Sequence, residues 1–148
     1  MDSISDIART IQAAVAPVFF LAAIGSFLGV LAGRLNRIVD RARRIEDLHS
    51  ASSGVEHDRH VFELRILDRR MRIVSHSILL SVASALAICL VIGALFVAEL
   101  ASYAFAKLVS VIFIVALILL VASLVYFLIE VRMAIRTIRV REALLEHG

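Results

Sequence analysis

SILLSVASALAICLVIGALFVA, Ser77 to Ala98, is a run of 22 residues without Asp, Glu, Lys or Arg. As a helix it rises roughly 30 Å, the thickness of a bilayer's hydrocarbon core. Comparable charge-free runs, Thr10–Gly33 and Leu108–Ile129, stand on either side of it. Three such runs predict an all-α integral membrane protein with three transmembrane helices. The composition agrees: 61% of the 148 residues are hydrophobic and mean hydropathy is +0.93. Soluble domains lie nearer 45–50% apolar, roughly, so the excess must face lipid or other helices.

Charge placement then orients the spans. Of the 16 basic residues, ten lie between the first and second runs and four follow the third, leaving Arg9 and Lys107. Basic flanks stay cytoplasmic. The expected topology therefore has the N-terminus and the 99–107 turn outside, and the Arg-rich loop and C-terminus inside the inner (cytoplasmic) membrane of a bacterium. The opening MDSISDIART carries acids where a secretory signal would be positive, so the first span is expected to be retained. The preference for Arg over Lys (15 to 1) reads either as coding bias in a GC-rich genome or as a functional choice.

Within a single domain, 1–148, the segments follow from pattern. Residues 3–14 read as an interfacial amphipathic helix, with Ser3 as cap and Ile4, Ile7, Ala8 and Ile11 on one face. Pro17 opposes a continuous helix, and a break is expected there, with the first span over 15–33. Between the spans, Leu31, Leu35, Ile38, Ala42, Ile45 and Leu48 recur at spacings of three and four, as do Leu64, Leu67, Met71, Val74 and Ile78. That alternation is the seam of two paired helices. Residues 34–75 are thus expected to be a cytoplasmic antiparallel hairpin, turning at 50–54 with Gly54 as the helix stop. The second span covers 76–98, the external turn 99–107 and the third span 108–129. A cytoplasmic helix over 130–148, carrying Val131, Ile135 and Ile138, is expected to pack on the hairpin.

Two stripes of small residues mark close helix packing. Gly25, Gly29 and Gly33 are four apart in the first span, and Ser77, Ser81 and Ala85 repeat the spacing in the second. Such grooves let a second backbone approach, within the chain or in a homo-oligomer. The densest polar cluster, NRIVDRARRIED, holds Arg37, Asp40, Arg41 and Arg44, with Arg34 just before it and Arg69, Arg70 and Arg72 on the returning helix. One reading is a solvated face laced with salt bridges: Asp40 with Arg44, Arg37, Arg65 or Arg69, Asp68 with Arg72 or Arg65, and Glu130 with Arg34 or Arg72. The other is a basic surface for anionic lipid headgroups, another anion or a protein partner.

Catalytic chemistry finds no foothold in the pattern. Nucleophile–base pairs, a phosphate loop, a zinc-helix motif and paired intramembrane acids are all missing from the sequence. Cys89 is alone and mid-span, a small apolar filler rather than half of a disulfide. Glu56, His57 and His60 have metal-compatible spacing but lack a fourth ligand, so neither metal nor cofactor is expected. His76 reads as an interfacial anchor or a pH-sensitive group. Among the arginines of the loop the one aromatic is Phe62, too little for nucleic acid. No charge lies at mid-membrane, which argues against a proton relay or a charged-substrate transporter.

The stretch ISDIARTIQAAVAPVFFLAAIGSFLGVLAGRLNRIVDRARRIE (Ile4–Glu46) resembles the opening of a bacterial family of three-span membrane proteins, catalogued as a domain of unknown function (number 2721). Asp6, Ile7, Gln12, Ala16–Pro17–Val18, the first-span glycines, Asn36–Arg37 and Asp40–Arg41 carry the resemblance. The Arg69–Arg70 pair before the second span fits its layout. The resemblance implies a helical inner-membrane protein and no particular activity. The expected function is a non-enzymatic, self-associating scaffold presenting a basic helical bundle to the cytoplasm. The alternative is a homo-oligomeric, anion-favouring channel lined by the first span, with Gln12 and Pro17 toward its outer mouth.

Overall fold

The computed structural model describes residues 2–49, 54–101 and 106–145. They form three helices: α1 Asp2–His49, α2 Val55–Ala101 and α3 Ala106–Leu145. Among the described residues only Gly54 lies outside a helix, and there is no strand. Each helix contains one of the charge-free runs and is long and apolar enough to cross a membrane. Hydrocarbon offers backbone N–H and C=O groups no water, and a helix pairs them within its own segment.

The expected break at Pro17 is absent, because Pro17 lies inside α1. One proline removes a single N–H, and local adjustment in a long apolar helix can satisfy the freed carbonyl. Residues 3–14 are accordingly the first turns of α1 rather than a separate helix. The turn at 50–53 and the connection at 102–105 fall outside the described residues. Gly54 differs from its expected role. Its φ is 73°, a left-handed value, and its carbonyl accepts from the N–H groups of His57 (3.1 Å) and Asp58 (3.4 Å). It therefore stands at the start of α2. A Cβ would disfavour that φ, which explains why glycine stands there.

The chain divides into two compact units. The first combines Met1–Gly29 with Leu79–Ala122. Its core is Ile24, Ile88 and Ala116, with Phe20, Leu28, Ala85 and Phe113 against them. The Phe20 and Phe113 rings meet at 6.1 Å, tilted by 50°. Ala116 is small enough for Ser84 Oγ to reach its carbonyl at 2.7 Å. Ser81 is fully buried in this unit.

The second unit combines Val30–Ile78 with Ser123–Gly148. Ile38, Ala42, Ile45, Leu67 and Val74 form its core, and Leu35, Leu64, Met71 and Ile78 pack on them. These are positions of the seam expected from spacing. The stripe ends at Ile45, because Leu48 is 60% exposed. Ser77 and Ser123, both fully buried, bond reciprocally: Ser77 Oγ donates to the Ser123 carbonyl at 2.9 Å and Ser123 Oγ to the Ser77 carbonyl at 2.6 Å. Buried hydroxyls need such partners, and two serines facing each other supply them without bulk.

A candidate anion-binding site around Glu130

Glu130 is the first charged residue after the run Leu108–Ile129, and it is fully buried. An isolated carboxylate in that position would be very costly. Two arginines resolve it. Arg34, the first charged residue after the first run, places Nη1 at 2.6 Å from Oε2. Arg70, on α2, places Nη2 at 2.7 Å from Oε1. Each carboxylate oxygen thus has its own guanidinium, and the three helices of this unit share one ionic node. Phe127, one turn before Glu130, lies beneath the Arg34 guanidinium at 5.0 Å from ring centroid to carbon, a cation–π distance. The Arg70 Nε is buried without a hydrogen-bond partner among the described residues.

Arg37 and Arg41 follow on the same face of α1. Arg37 Nε donates to the Gly33 carbonyl at 3.2 Å. Arg41 donates to Glu63 Oε1 through Nε at 3.1 Å and also through Nη2. Together Arg34, Arg37, Arg41, Arg70 and Glu130 line a cleft of about 340 Å³, with Ile38 and Leu67 as its apolar wall. A second cleft of about 530 Å³ lies further along α1, where Asp40 and Arg44 face His60 and Glu63.

The structure thus gathers four of the sequence-predicted basic residues, Arg34, Arg37, Arg41 and Arg70, into one place. Asp40 and Arg44 line only the second cleft, which Arg37 and Arg41 also border. Arg72 pairs with Asp68 at 2.8 Å along its own helix, one of the pairings expected for Asp68. Glu130 meets Arg34, one of its two expected alternatives, together with Arg70 instead of Arg72. Among the described residues the ion pair across the seam is Arg41–Glu63, whereas Asp40 with Arg65 or Arg69 was one of the alternatives for it, and Arg69 is exposed outside both clefts. His76 stacks on Tyr126 at 5.9 Å and its Nδ1 lies 2.7 Å from the Arg72 carbonyl. Gln12 is exposed and Pro17 buried. Gly25, Gly29 and Gly33 have no atom within 4 Å of where a Cβ would stand, whereas Ser77 and Ser81 are enclosed by the chain itself.

Glu130 as the centre of the site was missed at the sequence level, although its pairing with Arg34 was foreseen. The available signal was its position: an acid directly ending a span, on the side where arginines cluster, must find a cation. Ser84 and Ser123 were missed as packing groups because hydroxyls are mild in hydropathy and their partners lie on another helix.

A family described as proteins of unknown function, DUF2721, matches residues 14–140. The chain belongs to that family. The DUF2721 match takes in every residue of the ionic node and the cleft, along with the second and third charge-free runs and all of the first except residues 10–13. Comparison with curated proteins and with solved structures found no match.

Proposed function

We propose that this DUF2721 member is a non-enzymatic scaffold of a bacterial inner membrane, self-associating through α1 and presenting its arginine-rich unit to the cytoplasm. The observation that carries self-association is the open glycine face. Gly25 and Gly29 are exposed, and nothing occupies the space beside them within 4 Å. A groove of that kind admits a second helix backbone, and among the described residues no helix fills it. The orientation follows from the 14 basic residues that flank the inner ends of the spans. The non-enzymatic reading rests on the chemistry of the site: guanidiniums stay protonated and bind, and they make poor acids, bases and nucleophiles.

The channel reading draws less support. Ser77, Ser84 and Ser123 are hydrogen-bonded inside the chain, so a pore along α1 would be left with Gln12, the glycine backbone and Ser26, whose hydroxyl already donates to the Ala22 carbonyl. Native mass spectrometry of the full chain released from lipid nanodiscs tests the proposal. A defined oligomer that Gly29→Leu converts to monomer is expected. A monomeric wild type would overturn self-association. An oligomer whose ion flux changes with Gln12→Leu would replace the scaffold with the channel.

A further inference from the structure

We infer that the cleft between Arg34, Arg37, Arg41 and Arg70 is a binding site for a phosphate group. It rests on the reading of this unit as a binding surface and names the chemistry of what is bound there.

The argument starts from charge. Four guanidiniums line the cleft against a single carboxylate, and that carboxylate already has both oxygens engaged. Glu63 offsets Arg41 from outside the lining. Among the described residues the cleft therefore keeps an excess of positive charge, and no second carboxylate lines it. Donor supply points the same way. Arg37 uses only Nε, on a backbone carbonyl, and makes no ion pair among the described residues. Arg34 and Arg70 each give one Nη to Glu130, and the buried Nε of Arg70 lacks a partner.

Glu130 has a defined role in this arrangement. Holding Arg34 and Arg70 from behind fixes two otherwise flexible side chains, so their remaining N–H groups are preorganised for an anion. Guanidinium forks match the tetrahedral oxygens of phosphate with paired hydrogen bonds. A volume of about 340 Å³ lies at the small end of ligand pockets, enough for a phosphate and its ester substituents.

Position bears on the source of the phosphate. Arg34 and Glu130 each immediately follow a charge-free run, and Arg70 precedes one by seven positions. That is the level of lipid headgroups, and Ile38 and Leu67 give the cleft an apolar wall. A phosphodiester of an anionic lipid and a free phosphate share this chemistry. The second cleft is a weaker candidate, because Asp40 and Glu63 stand among its arginines.

The test uses the full chain in neutral detergent, with phosphatidylglycerol, phosphatidylcholine or inorganic phosphate added. Native mass spectrometry counts retained lipid and calorimetry reads phosphate. Arg37→Gln removes a lining guanidinium without touching Glu130. Arg43→Gln removes the same charge from an exposed position outside both clefts. Wild type is expected to retain phosphatidylglycerol over phosphatidylcholine, with an affinity that Arg37→Gln lowers about tenfold and Arg43→Gln less than about twofold. Arg37→Lys should restore only part of the loss, because an ammonium lacks the fork.

If inorganic phosphate alone binds with the same Arg37 dependence, the site holds and its source is a free anion. Equal losses in Arg37→Gln and Arg43→Gln would reduce the binding to diffuse charge and overturn the site, as would no binding in any arm. The same spectra count subunits. Lost lipid with an intact oligomer sinks only this inference, and a monomer with Arg37-dependent lipid sinks only self-association.

Discussion

A carboxylate placed directly after a membrane span must either reach water or be neutralised by a cation, since its burial alone would be prohibitive. Glu130 is neutralised twice. Its side chain is 1% exposed, while Arg34 and Arg70 retain 31% and 20%. The partial exposure of the arginines places the node between surface and buried ion pairs in energy. Glu130→Gln keeps the shape and removes the charge, leaving two guanidiniums facing each other. It should destabilise by about 3 kcal/mol, the lower end for breaking a buried pair. Asp68→Asn breaks the exposed Arg72–Asp68 pair and should stay below about 1 kcal/mol. Thermal unfolding in detergent compares the two. Similar shifts in Tm would mean that the node is wetter than its geometry indicates.

At the scale of elements, the seam between α1 and α2 was legible because its period is local. Leu35, Ile38, Ala42 and Ile45 repeat at spacings of three and four, and only one face of a helix satisfies that repeat. Pro17 misled because a proline lowers local propensity, whereas the surrounding apolar helix has no alternative way to pair its backbone. The Ser77–Ser123 pair was half legible. Ser77 belongs to a stripe of small residues, but its partner lies 46 positions away on α3, and no local pattern announces it. Ser77→Ala and Ser123→Ala should each destabilise modestly. A double-mutant cycle should give a coupling of about 0.6–1.7 kcal/mol, the range for hydroxyl bonds between membrane helices. Additive effects would show that the hydroxyls satisfy themselves on their own helices.

For the whole molecule, the charge asymmetry makes a topological prediction. In a Cys89→Ala background, Leu48→Cys adds a thiol at an exposed position of the arginine-rich unit. A membrane-impermeant maleimide should label it only after the inner face is opened, as expected from the 14 basic residues that lie between the first two runs and after the third. Labelling of intact cells would invert the orientation and move the proposed phosphate site to the outer leaflet.

The sequence by itself determined that three helices are long and apolar enough to cross a membrane, and which helix faces form the seam. Hydropathy and spacing are properties of one segment, and lipid selects helices from them regardless of what they pack against. It also pointed to the arginine-rich stretch of α1 that lines the cleft. Only the tertiary structure decided which arginines converge, that Arg70 rather than Arg72 reaches Glu130, and that the serines are enclosed while the glycines stay open. Arg70 and Arg72 lie two positions apart on α2, which turns them about 200° from each other by helix geometry. Which of them faces Glu130 depends on the rotation of α2 against α3, and no stretch of sequence read alone contains that angle.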